Sequence, residues 1–162
     1  MSVVIRAAVE QDAPAILSLI RELADYERLS HAVEATTEDI VATLFRERPA
    51  AEALVAELDG AAVGMAIFFS SYSTFLGRAG IYLEDLFVQP AHRGQGIGKR
   101  LLGEVARIAL ARGCRRLEWA VLDWNEPSIE FYKSLGAEPM EEWTTYRMSP
   151  EAMKRLAGAK GW

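Results

Sequence analysis

The chain has 162 residues, of which 51% are hydrophobic and 25% charged, a size and composition typical of one compact globular domain. Its net charge of −5 disfavours non-specific nucleic-acid binding, and no apolar run reaches the roughly 18 residues that a membrane span needs. Cys114 is the single cysteine, which excludes an intramolecular disulfide and a cysteine-based metal cluster. Without a signal-peptide pattern, these features predict a cytoplasmic protein that associates with neither membrane nor nucleic acid.

The first half of the chain predicts two helices and three strands, with apolar residues at the matching spacings. Asp12 is suited to cap the first helix, and Asp59-Gly60 is a turn sequence of the kind that joins two strands of a hairpin. In chain order, the predicted elements are a strand over residues 3–6, helices over 13–28 and 37–46, and strands over 54–58 and 63–69.

The second half predicts further strands separated by helices. The elements are a strand over 81–88, a helix over 96–112, a strand over 117–122, a helix from Asn125 to 135, a strand over 143–148 and a short helix over 150–157. Gly113 and Gly136 are suited to end the two longer helices. Because strands and helices do not alternate strictly, we expect an α/β or α+β domain with a mixed sheet.

The first candidate site is the glycine-rich turn Arg93-Gly-Gln-Gly-Ile-Gly98, between a predicted strand and a predicted helix. Glycines allow close approach of a ligand to the backbone, and the amides at a helix N-terminus favour an anion such as pyrophosphate. Arg93 adds a charged hydrogen-bond donor. The spacing fits neither the G-x-G-x-x-G dinucleotide motif nor a Walker loop, and a plain structural turn is the alternative.

The second candidate is the acidic pair Glu84-Asp85 inside an apolar strand. Adjacent residues of a strand point to opposite faces, and the apolar neighbours of this pair predict burial on both sides. A buried carboxylate has a raised pKa or a partner, which makes each a candidate general base. The alternative is an acid on an edge strand that pairs with a nearby arginine.

The third candidate is the helix that follows Asn125, on which Tyr132 carries a phenol able to donate a proton. The structural alternatives are a core tyrosine and an asparagine that only caps the helix. His31 and His92 lie in polar loop sequence with no catalytic pattern around them.

Taken together, these motifs resemble the GCN5-related N-acetyltransferase (GNAT) superfamily. The turn Arg93-Gly-Gln-Gly-Ile-Gly98 is similar to its acetyl-CoA loop, R/Q-x-x-G-x-G/A. Four further segments resemble the spermidine/spermine acetyltransferase branch and its thialysine acetyltransferase relatives, namely Arg21-Glu-Leu-Ala-Asp-Tyr-Glu27, Tyr82-Leu-Glu-Asp85, Val121-Leu-Asp-Trp-Asn125 and Phe131-Tyr-Lys-Ser-Leu-Gly-Ala137. The resemblance covers essentially the whole chain.

The resemblance implies one GNAT-like domain over residues 1–162, with a mixed, mostly antiparallel sheet flanked by helices. It implies a homodimer that transfers acetyl from acetyl-CoA directly to the primary amine of a small molecule, without a metal. Glu84 matches the proposed base, Tyr132 the proposed acid, and Tyr26 and Glu27 match positions that contact the amine, as Glu84 also does.

The resemblance also implies a cofactor site. The backbone of Leu86, Phe87 and Val88 would bind the pantetheine arm and the thioester carbonyl. The pyrophosphate would lie on Arg93, Gly94, Gln95, Gly96, Ile97 and Gly98 near Lys99, with Asn125 and Ser128 on the other side of the cofactor.

The chain departs from the polyamine enzymes at one place. Ser73 or Thr74 stands where those enzymes carry an acid that would bind the far amine, so a diamine or a lysine-like amino acid such as thialysine fits as well as a polyamine. Two other functions are compatible with the same motifs: acetylation of protein lysines or N-termini, and a non-catalytic CoA-binding module.

Overall fold

The computed structural model describes residues 2–158, which form two compact units, one ending at Leu122 and the other beginning at Asp123. The first unit contains β1 (Val4–Ala7), α1 (Ala13–Tyr26), α2 (Thr37–Leu44), β2 (Glu52–Leu58), β3 (Ala61–Ser73), β4 (Arg78–Val88), α3 (Ile97–Ala111) and β5 (Leu117–Glu118). The second contains α4 (Glu126–Ser134) and α5 (Pro150–Gly158). That residues 1–162 fold as one domain stays a prediction.

The five strands form one sheet in the order β1-β2-β3-β4-β5. The three pairings from β1 to β4 are antiparallel, and β5 pairs with β4 in parallel. The predicted mixed, mostly antiparallel sheet is therefore confirmed. The strand predicted over 117–122 is shorter than expected, because its ladder contains only the pairs Ile81–Leu117 and Tyr82–Glu118.

Two helices cover one face of the sheet. Apolar side chains of α1 and α2 pack on the strands and form the main hydrophobic core. The large buried side chains of this core are Ile16, Leu19, Ile40, Val55, Met65, Ile67 and Phe87. Burial of side chains of this size stabilises a fold by about 1.5–3 kcal/mol each. This core packs α1 against β3, the strand next to β4.

α3 packs near the junction of β3 and β4, where Gly64 permits unusually close contact. A Cβ atom at this position would lie 2.9 Å from the carbonyl oxygen of Phe87 and 3.4 Å from Leu101 of α3. A side chain at this position would therefore push β3 and β4 apart, whereas its distance to Leu101 would be an ordinary van der Waals contact. The glycine permits the close pairing of β3 with the end of β4.

A β-bulge interrupts β4 at Glu84. Ile67 of β3 is opposite Asp85, but the next residue, Phe68, is opposite Leu83, so Glu84 has no partner in the register. A bulge of this kind reverses the inward and outward alternation of a strand. Asp85 consequently shares the α1 face with Ile67, whereas Leu83 shares the opposite face with Phe68.

The second unit confirms the helix after Asn125 and the helix at 150, but the strand predicted over residues 143–148 is wrong. Within residues 2–158 this segment pairs with no strand, and Trp143 is 79% and Tyr146 92% exposed. Residues with high β-propensity form a strand only where a partner edge takes up their backbone hydrogen bonds. Among the described residues no helix is long and apolar enough to cross a membrane.

Candidate functional site

The C-terminal half of β4 presents a strand edge that can hold an extended ligand. Pairing with β5 ends at Tyr82, whereas β4 continues to Val88, and within residues 2–158 no strand covers this part of its edge. Exposed N–H and C=O groups of an edge can form strand-like hydrogen bonds with a ligand. The predicted pantetheine residues lie here, with Phe87 and Val88 buried and Leu86 half-buried, which leaves backbone groups for recognition.

The glycine turn directly follows this strand end. Gly94 and Gly96 have φ angles of 78° and 77°, in the left-handed region that favours glycine, and Gly96 is the N-cap of α3. Buried Ile97 anchors the first helical turn, while Gln95 and Lys99 are exposed. The free amides at the start of this 15-residue helix are suited to bind an anion beside the strand edge.

Arg93 reaches from this turn towards α1. Its Nε–H donates a 2.9 Å hydrogen bond to the carbonyl oxygen of Val88, and its guanidinium carbon lies 4.9 Å from the ring centre of Tyr26 and 5.4 Å from that of Phe87. These distances are in the range of cation–π contacts. The sequence predicts Arg93 as a pyrophosphate ligand, and it contains no signal for the contact with Tyr26.

The acidic residues on β4 differ in burial. Glu84 is exposed, so its predicted burial is wrong, because the bulge takes it out of the paired register. Asp85 is half-buried, and burial raises its pKa to about 6, with further contributions from the charges of Glu84 and Glu27. Burial also raises the pKa of Glu27, at the C-terminal end of α1. Within residues 2–158 neither acid of β4 forms a salt bridge with an arginine.

These residues form what we call the acidic cluster, Glu27, Glu84 and Asp85. Tyr82 flanks it, with its ring 5.2 Å from that of Phe69, and the pKa of Tyr82 is raised by burial and by the charges of Glu84 and Glu118. The sequence indicates both acids of β4 as candidates. It does not reveal that Asp85 is the acid that the fold partly buries, with a raised pKa as the consequence.

The remaining predicted residues belong to the second unit. Tyr132 lies half-buried on α4 with its ring 5.5 Å from that of Phe131. Asn125 is buried and its side-chain oxygen accepts a 3.4 Å hydrogen bond from the amide of Ser128, which confirms it as the helix cap. The catalytic role of Tyr132 and the cofactor contacts of Asn125 and Ser128 stay predictions.

His31, His92 and Cys114 are not among the residues predicted for this site. His31 is exposed in a short turn after α1, His92 precedes the glycine turn, and Cys114 is buried as expected for a small apolar residue. No group of three or more potential metal ligands occurs among the residues that the structure describes.

The geometry of the first unit defines a class of protein. An uncovered strand edge that leads into an anion-binding turn suits a long acyl carrier with phosphates at its end, and the acidic cluster suits a cationic acceptor. The chain belongs to the acetyltransferase (GNAT) family, whose sequence model matches residues 15–137, and it is an N-acetyltransferase.

Known relatives agree with this assignment. The chain is 46% identical to the thialysine N-epsilon-acetyltransferase of Bos taurus, over 96% of this chain and 98% of that protein. It is 30% identical to the L-ornithine N5-acetyltransferase of Arabidopsis thaliana, over 94% of this chain and 86% of the relative. Among solved structures, an integron cassette protein from the mobile metagenome of V. cholerae superposes with a TM-score of 0.81 at 27% identity, covering 98% of this chain and 99% of that one.

Proposed function

We propose that this enzyme acetylates the primary amine of a small cationic molecule, with a lysine-like amino acid such as thialysine as the leading acceptor and diamines or polyamines as others. The acidic cluster carries this proposal, because it concentrates three carboxylates beside the uncovered edge of β4. The carboxylates would attract and stabilise a bound cation, and the charge of that cation would stabilise the ionised form of Asp85.

The acceptor amine must lose a proton before it can attack a thioester. A free alkyl amine has a pKa near ~10, so at neutral pH it is mostly an ammonium ion. We assign the removal of this proton to exposed Glu84, directly or through one water, while Asp85 and Glu27 hold the cation. The difference in burial supports this division, because Glu84 is exposed to solvent while Asp85 is half-buried.

Acetyl-CoA supplies the thioester. We propose that the backbone of Leu86, Phe87 and Val88 holds its pantetheine arm and that the carbonyl oxygen receives a hydrogen bond from a strand amide near Val88. The residues of the glycine turn, with Lys99, would bind the pyrophosphate, and Asn125 and Ser128 would contact the cofactor from α4. We assign to Tyr132 the transfer of a proton to the departing thiolate.

The acceptor class is supported by the relatives and by one contact. The names of two relatives specify thialysine and L-ornithine, both basic amino acids with a side-chain amine. In this chain Ser73 Oγ accepts a 3.2 Å hydrogen bond from the amide of Leu76, so it stabilises the turn between β3 and β4. A short acceptor therefore fits better than a long polyamine that needs a second distant acid.

We also propose a homodimer in the cytoplasm. The exposed Trp143 and Tyr146 support association, since large apolar side chains in contact with water favour burial in an interface. Sedimentation of the purified protein tests the assembly, and a monomer at micromolar concentration would contradict it.

The experiment that tests the function measures CoA release with acetyl-CoA and a panel of acceptors: thialysine, lysine, ornithine, spermidine and a peptide with free lysines. We expect the highest kcat/KM with the amino acids. Glu27→Gln should raise the KM of the preferred amine, whereas Glu38→Gln, in the exposed first turn of α2, is the matched control. Release with the peptide alone would identify a protein acetyltransferase, and CoA binding without any release would identify a binding module.

A further inference from the structure

Two contacts join the segment between β4 and α3 to helix α1. The side-chain amide of Gln89 donates a 3.0 Å hydrogen bond to Glu22 Oε1. Four residues later, the guanidinium of Arg93 lies against the ring of Tyr26. Both contacts cross more than 60 residues of sequence, so they connect the proposed cofactor-binding turn with the helix that supplies Glu27 to the acidic cluster.

The geometry of Arg93 differs from that of a side chain that only binds phosphate. Its Nε–H is engaged by the Val88 carbonyl, and the plane of its guanidinium group is held near two aromatic rings. An arginine so held has fewer rotamers available, and it limits the rotation of the tyrosine ring that it contacts. Tyr26 directly precedes Glu27 at the end of α1, so the position of one affects the other.

We propose that Arg93 is a positioning residue for the acceptor, which it serves by holding Tyr26 and the end of α1 against the cofactor-binding turn. This inference rests on the proposed function, because it concerns the amine site of that reaction. It differs from the prediction that Arg93 acts mainly as a pyrophosphate ligand. A positioning role predicts that substitution of Arg93 changes the KM of the amine, whereas a role as pyrophosphate ligand predicts a change in the Kd of CoA.

The variant that separates these roles is Arg93→Lys. Lysine keeps the positive charge available to a phosphate but loses the planar guanidinium group and its Nε–H donor. We expect the KM of the amine to rise about 2- to 5-fold, the range that corresponds to loss of a cation–π contact of an exposed arginine, while the Kd of CoA changes less than about 1.5-fold. Arg46→Lys is the matched control, because Arg46 Nε–H also donates to a backbone carbonyl, that of Arg48, at an exposed site.

Substitutions at Tyr26 provide a second test that does not alter the turn. Tyr26→Leu removes the ring and should raise the KM of the amine to a similar extent, whereas Tyr26→Phe keeps the ring and should retain the stacking. The double variant Arg93→Lys/Tyr26→Leu should be no worse than Tyr26→Leu alone, since the contact that Arg93→Lys removes is already lost in that variant.

The result that would overturn the inference is a CoA Kd weakened by Arg93→Lys with the KM of the amine unchanged, or additive effects in the double variant. The CoA Kd is measured calorimetrically, so this outcome does not depend on turnover. Failure of the proposed function has a different signature, since the wild-type protein would then release no CoA with any small amine on the panel.

Discussion

The raised pKa of Asp85 predicts that Asp85→Asn stabilises the protein in a pH-dependent manner. Folding raises this pKa from 3.8 to about 6, so the folded protein binds the proton more tightly than the unfolded chain. The carboxylate therefore destabilises the fold above about pH 6, and this cost disappears as the pH falls below the unfolded pKa of about 4. Because each tenfold difference in proton affinity corresponds to about 1.4 kcal/mol, the ionised Asp85 lowers the free energy of unfolding by about 3 kcal/mol at pH 8.

Asparagine has nearly the same shape and cannot ionise, so it removes this cost. We expect the free energy of unfolding of Asp85→Asn to exceed that of the wild type by up to about 3 kcal/mol at pH 8, or about 6–12 °C in Tm, and to equal it near pH 4. Urea unfolding at both pH values measures the difference, with Asp123→Asn, at an exposed position of the second unit, as control. An equal change at both pH values would refute the assignment of the cost to the Asp85 charge.

Three further predictions concern catalysis and packing. The kcat/KM of the amine should fall below about pH 6 as Asp85 is protonated. Glu84→Gln should move this acidic limb of the pH profile to lower pH, because the Glu84 charge raises the pKa of Asp85. A limb that stays in place would contradict the assignment of the limb to Asp85. Tyr132→Phe should lower kcat about 10²- to 10³-fold with the CoA Kd unchanged, and near-normal turnover would exclude it as the acid. Gly64→Ala should destabilise the fold by about 1–3 kcal/mol, because its Cβ would lie 2.9 Å from a backbone oxygen. Gly103→Ala, with open space around it in α3, should stabilise the fold by up to about 1 kcal/mol. Thermal unfolding compares the two variants, and equal effects would contradict the packing explanation.

Most elements of the fold are predictable because their signals are local. The helix over Ile97–Ala111 follows from apolar spacing and from glycines at both ends, and the hairpin at Asp59-Gly60 follows from its turn sequence. The segment 143–148 shows the opposite case. Its residues favour β-structure, but they form a strand only when the edge of another strand lies next to them. No local sequence pattern indicates whether such an edge is present.

The site is predictable only in part, for the same reason. The glycine turn and the two acids of β4 are close in sequence, so an anion-binding turn beside a candidate base can be proposed from the residues alone. Which acid is buried depends on the bulge, and the bulge depends on the register with β3. The contact of Arg93 with Tyr26 depends on how α1 packs on the sheet, and no local spacing encodes it.

The bulge at Glu84 also bears on how the protein avoids self-association during synthesis. A long, regular strand edge is a template to which the strand of another chain can add, and such additions lead to aggregates. Here the uncovered part of β4 carries an unmatched residue and two adjacent carboxylates. A foreign strand would lose its hydrogen-bond register at that point, and the same strand of a second copy would bring its own two carboxylates against these. The irregularity that arranges the acids therefore also makes the edge a poor template for polymerisation.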